Sequence, residues 1–165
     1  MRANEPKAYI ASPTAKLIFI STLLAKPFME RIGPEHEITL PEWRTLIALD
    51  GQNVLSNTEI SELTGLDAMT VSRALERLRR KGRVERSKDA SDARVHRNKM
   101  TAQGRSTYRS ILKLAWERQA TMMAVLNAQQ IEQLDQTLDR LVAQLKQLEA
   151  QGRQSALPTD PKSTA

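Results

Sequence analysis

Between Asn57 and Gly104 the chain places, in order, a short helix, a tight turn, a strongly basic helix and a hairpin. Few folds accept that order. Ser56-Asn-Thr-Glu59 has the spacing of a capping box, and the helix it opens packs through Ile60 and Leu63. Gly65 supplies the turn, and Asp67 can cap the next helix, Ala68 to Lys81. That helix buries Val71, Leu75 and Leu78 and turns Thr70, Ser72, Arg73, Arg77 and Arg80 to other faces, until Gly82 stops it. Val84–Lys88 and Arg94–Met100 read as two short strands, joined by the bend-forming run Asp89-Ala-Ser-Asp92. Such a series is how a helix-turn-helix with a trailing wing reads, a unit that binds duplex DNA.

Charge singles out the same stretch. The chain has 25 Lys and Arg against 19 Asp and Glu, a net +6. From Ala68 to Ser110 there are 13 basic and 4 acidic residues, a local +9, while the rest sums to −3. A basic block confined to the helix-turn-helix is the footprint of a polyanion partner, here double-stranded DNA.

Other classes are disfavoured. There is no Cys, so no disulfide framework, thiolate zinc site or thiol redox switch. Two His do not close a metal site. No paired His with carboxylate spacing, phosphate loop or nucleophile elbow suggests an enzyme, and neither metal nor cofactor is expected. No run approaches the roughly 20 apolar residues of a membrane span, and the chain reads as cytoplasmic.

The flanks read as helices. Ser12-Pro13 looks like an N-cap followed by Pro at the first helical position, and Leu17, Ile20, Leu24 and Phe28 form a stripe. Pro27 predicts a kink or a break, and Gly33-Pro34 an end. Thr39-Leu-Pro-Glu42 is another capping box, opening a helix that packs through Trp43, Leu46, Ile47 and Leu49. Thr101 caps a helix carrying Ile111, Leu114, Ala115, Trp116 and Met122, and Asn127-Ala-Gln-Gln130 restarts helix. Ile131, Leu134, Leu138, Leu141, Leu145 and Leu148 then make an a/d stripe. It can pack within the chain or pair two chains. Aromatics are only 4% of the residues, so one chain offers little to cover it, and pairing is favoured, with Leu17 and Leu24 contributing.

The expected fold is mainly α with a small β-hairpin wing. A winged helix-turn-helix DNA-binding domain spans 36–104, flanked by dimerisation helices at 13–35 and 105–150, with disordered ends at 1–12 and 151–165. Thr70, Ser72 and Arg73 lie where base edges are met, and Arg73 is the best base-reading candidate. Arg77, Arg80 and Lys81 read as phosphate contacts. Arg94 suits a narrow minor groove, with Asp92 holding its guanidinium in a fixed fork, or else as a surface ion pair.

From Trp43 to Gly104 the sequence resembles the MarR family of bacterial transcriptional regulators. The matches are Leu40-Pro41-Glu42-Trp43, Thr70-Val71-Ser72-Arg73, Arg86 after Gly-x-Val-Glu, and Asp92-x-Arg94 followed by Met100-Thr101-x-x-Gly104. Arg83 and Asn98 depart from it, standing where members usually have Leu and an apolar strand residue. The resemblance implies a homodimer on a pseudo-palindromic operator, usually a repressor, often released by a small aromatic acid. His36, Trp43, Arg44 and Trp116 could face the cleft for such a ligand, the Trp by stacking and Arg44 or protonated His36 by pairing a carboxylate. Alternatively the Trp residues are core, His36 a loop residue and Arg44 solvated. The competing reading is a constitutive or architectural DNA-binding protein with no sensor.

Overall fold

The computed structural model describes residues 10–50, 54–89 and 94–155, with side chains as far as residue 151. Helix α1 spans Pro13–Pro27 and passes through one π-helical turn, Phe28–Ile32, into the short α2, Gly33–Glu35. Next come α3 (Leu40–Ala48), α4 (Asn57–Thr64), α5 (Ala68–Arg80), strands β1 (Val84–Lys88) and β2 (His96–Met100), α6 (Ala102–Met123) and α7 (Ala128–Ser155). The chain divides into one unit ending at Ala115 and another beginning at Trp116.

The local signals act as their chemistry requires. Thr39 and Glu42 exchange both bonds of a capping box at the start of α3, as do Ser56 and Glu59 at α4. Asp67 accepts from the Thr70 N–H at 2.9 Å and opens α5. Gly65 closes α4 at φ 67°, a left-handed conformation that costs a residue with a Cβ, and there the chain turns from α4 to α5. Asn127 and Gln130 cap each other's backbone at 2.9 Å and begin α7.

The first unit has one core. Leu46, Leu49, Ile60, Val71, Leu75, Leu78 and Ile111 are almost fully buried, joined by Ile38, Val84 and Met100. Trp43 stacks with Phe28 and with Tyr108, with ring centroids 6.2 and 5.2 Å away. The Tyr108 hydroxyl donates to Asp50 at 2.8 Å, tying α6 to the end of α3. Burial, and next that carboxylate, push the Tyr108 hydroxyl up to about 12.

The hairpin is antiparallel, with Val84 opposite Met100, Arg86 opposite Asn98 and Lys88 opposite His96. Leu55 adds a single bridge on the other side of β2, pairing with Asn98. The second strand begins two residues later than the sequence suggested.

Four expectations are corrected. The regular α-helix breaks at Pro27 as expected, but the chain winds on through the π turn, and Gly33-Pro34 begins α2 rather than stopping the segment. Of the α1 stripe only Phe28 is buried, because nothing in the described chain covers Leu17, Ile20 or Leu24. Ile47 and Leu63 point to solvent, since each short helix has room for only one covered face and Leu46 and Ile60 already take it. Finally, α7 continues to Ser155, into the segment expected to be a disordered tail, because Gly152 alone does not stop a helix of this length. The remaining residues of the two ends, 1–9 and 156–165, lie outside the described residues.

Candidate nucleic-acid interface

Helix α5 has two chemically opposed sides. Val71, Ala74, Leu75 and Leu78 are buried in the core, while Ser72, Arg73, Arg77 and Arg80 are exposed. Their spacing follows from 3.6 residues per turn: the inward set recurs at three and four, leaving the intervening positions outside. Thr70 lies in the first turn and donates to Asp67 Oδ2 at 2.6 Å, so its hydroxyl is oriented and keeps lone pairs free to accept. That hydroxyl, followed by the Thr70 N–H, holds the Asp67 carboxyl below its usual range. Arg73 is extended along the helix, with Nη2 3.3 Å from Met69 Sδ.

Two basic residues at the end of α5 reach the N-terminal arm. Lys81, expected at a phosphate, donates its ammonium to the Glu37 carbonyl, because the end of α5 packs beside the carbonyl-rich end of α2. Arg83 is buried there too, donating to the Glu37 carbonyl at 3.1 Å and the His36 carbonyl at 2.8 Å. Its replacement of an expected Leu is thus a polar clasp. Asn98 is likewise fully buried, its Nδ2 donating to the Leu55 carbonyl and to Asn57 Oδ1, each at 3.0 Å.

On the wing, Arg86 and Arg94 are exposed. Asp92 and its fork with Arg94 lie outside the described residues. Sequence reasoning missed Arg97. Its Nε donates to Asp89 Oδ2 at 2.5 Å and its Nη1 to Glu59 Oε2 at 2.6 Å, which commits a residue of the basic block to protein acids. Asp89 first, then Glu59, raise the Arg97 guanidinium above its ordinary range. Ser56, through its N–H and hydroxyl, and then Arg97 hold Glu59 below its usual value. Asp89, an acid within the otherwise basic segment, was the available clue.

Of the four ligand candidates, His36, Trp43 and Arg44 belong to the first unit and Trp116 to the second. Trp43 is a core residue, its ring stacked with those of Phe28 and Tyr108. His36 is half-buried and contributes its carbonyl to Arg83. Arg44 is exposed at the rim of a cleft of about 580 Å³ shared with Ile47, Ala48, Leu63 and Thr64. Trp116, in the second unit, is 57% exposed and lines a cleft of about 490 Å³ with Met123, Ile131, Leu134 and Leu138. Along the proposed dimer stripe Leu134 and Leu138 are half-buried, whereas Ile131, Leu141 and Leu145 are exposed, as are Leu17 and Leu24.

Residues 38–96 match the sequence profile of the MarR family. The chain carries a MarR-family domain. Solved structures extend the likeness beyond the matched segment. A probable transcriptional regulator from Pseudomonas aeruginosa is 27% identical at a TM-score of 0.69, over 79% of this chain and 97% of its own. NadR, solved in complex with 4-hydroxyphenylacetate, is 26% identical at 0.71, over 86% and 97%. MepR of S. aureus, solved with DNA, is 22% identical at 0.70, over 81% and 98%, and shows the shared fold. Curated proteins yield no match. The MarR domain places its winged helix-turn-helix on α4, α5 and the β1–β2 hairpin, with Leu55 bridging the wing to the start of α4. No described helix is long and apolar enough to cross a membrane.

Proposed function

We propose that this MarR-domain protein is a homodimeric repressor acting in the cytoplasm, reading a pseudo-palindromic operator through α5 and released by a small aromatic acid. The observation that carries the reading is the exposed set Ser72, Arg73, Arg77 and Arg80, presented by a helix whose other side is locked into the core. A rigid helix with an Arg in its second turn has the chemistry for bidentate contact with guanine in the major groove. The wing supplies Arg86 and Arg94 for the backbone and minor groove. Dimerisation is supported by α1 and α7, which together leave Leu17, Leu24, Ile131, Leu141 and Leu145 uncovered. The aromatic acid is supported by NadR, a relative that binds one.

The test begins with duplexes selected from a random pool by the wild-type protein. Arg73→Ala should retain binding but lose discrimination between selected and scrambled duplexes by roughly 10- to 100-fold, the worth of one bidentate pair. Unchanged discrimination removes Arg73 from base reading. Titrating the complex with 4-hydroxyphenylacetate should release the DNA.

A second reading, a constitutive or architectural DNA-binding protein, is favoured by one observation: the core consumes Trp43, the aromatic best placed to stack on a ligand. Complexes indifferent to aromatic carboxylates would establish it.

A further inference from the structure

Arg97 sits where three parts of the DNA-reading unit meet. Its guanidinium spans Asp89, at the turn end of the wing, and Glu59, in the first turn of α4. Asp89 also donates its N–H to the Val95 carbonyl at 2.9 Å, closing the hairpin above the last strand pair. Glu59 Oε2 accepts from the Ser56 N–H at 2.7 Å as well as from Arg97, so one oxygen caps the helix and holds the wing. The adjacent residue, Asn98, adds an independent tie through its buried amide to Leu55 and Asn57. Two consecutive residues of β2 thereby bind the hairpin to the segment that starts the helix-turn-helix.

We infer that Arg97 is a positioning residue for the wing: with Asp89 and Glu59 it fixes the hairpin against α4 before DNA arrives, and so sets how strongly the protein reads the sequence flanking its half-sites. This rests on the DNA-reading function proposed above. The reasoning is one of preorganisation. A hairpin with five-residue strands is marginal by itself, and a wing that must be ordered on binding spends part of its contact energy on that ordering. A planar fork offers two carboxylates separate N–H donors in a fixed geometry; an ammonium is a compact point charge with rotatable donors and holds them less rigidly. The arrangement also withdraws Arg97 from phosphate contact. Its loss should therefore change how the wing is held rather than the count of neutralised phosphates.

The experiment separates positioning from stability and from DNA binding itself. Hydrogen exchange of the free protein should show faster exchange across Val84–Lys88 and His96–Met100 in Arg97→Met than in wild type, with α5 unaffected. On duplexes selected by the wild type, Arg97→Met should lose about tenfold in affinity and lose its dependence on flanking A·T content, while keeping discrimination in the half-site. Arg97→Lys should fall between. The salt slope should be unchanged, whereas a phosphate-contact role would lower it by about one. Asp89→Asn breaks one limb without touching the Glu59 cap and carries the test if Arg97→Met melts too low to assay. Unchanged wing exchange in both variants overturns the clamp. Faster exchange with unaltered flank dependence overturns its role in reading DNA. If the wild type selects no sequence, the proposed function falls, while the exchange measurement still decides whether Arg97 holds the wing.

Discussion

The Arg83 guanidinium donates to the His36 carbonyl at 2.8 Å, joining the turn after α5 to the end of the N-terminal helical arm. The side chain is nearly buried; its two terminal nitrogens donate to backbone carbonyls, of Glu37 and His36, rather than to a carboxylate, while its Nε is buried without a partner. Arg83→Ala would leave the His36 carbonyl without this donor and open a void, and should cost about 2 kcal/mol in urea denaturation. Arg83→Leu refills the space and should cost less. A neutral Ala variant would mean that the clasp contributes nothing to the fold.

Gly104 packs against the same turn. A Cβ there would lie 2.0 Å from the Arg83 carbonyl oxygen and 2.8 Å from Met100 Cγ. The oxygen is not free to move aside, because it accepts from the Thr101 N–H at 3.0 Å. Gly104→Ala should therefore destabilise by about 3 kcal/mol, or prevent accumulation of folded protein. A thermal midpoint equal to wild type would contradict this close approach.

What could be read in advance has a physical boundary. Ser56 with Glu59, Asp67 with Thr70 and Asn127 with Gln130 are partners three residues apart, so their spacing is written in the sequence. Gly65 and the strand pairing follow from equally local rules. The ties that hold the wing and arm join residues separated by 38 for Arg97 and Glu59, 41 for Asn98 and Asn57, and 47 for Arg83 and His36. No local pattern encodes those pairs, and so Arg97 was counted only as basic charge. Stripe arguments failed in the same way at Ile47 and Leu63. They say that a helix has an apolar side, not how much of it the fold covers.

Acid should loosen α4 and α5. The Ser56 N–H and hydroxyl hold Glu59 below its ordinary 4.5, and the Thr70 hydroxyl and N–H hold Asp67 below 3.8. Because both folded values are depressed, each contribution is complete above the ordinary value and is lost as pH falls through the lower folded one. Urea midpoints should thus decline from about pH 4.5 downward, and Glu59→Gln should flatten part of that decline. An identical slope in the variant would show that the Glu59 cap is not linked to protonation.

The stripe on α7 gives the sharpest test of assembly. Leu145 is 62% exposed, and α1 and α7 leave most of their large apolar side chains uncovered. An Asp at position 145 should cost the isolated chain little, since a charge at an exposed helix position remains hydrated. In a paired seam it would bury a carboxylate on each chain, a cost of several kcal/mol per ion. Leu145→Asp should therefore sediment as a folded monomer, with circular dichroism close to wild type. Its affinity for a two-half-site duplex should fall towards that of a single half-site. A variant that stays dimeric, with Leu138→Asp dimeric too, would show that the stripe is not the seam.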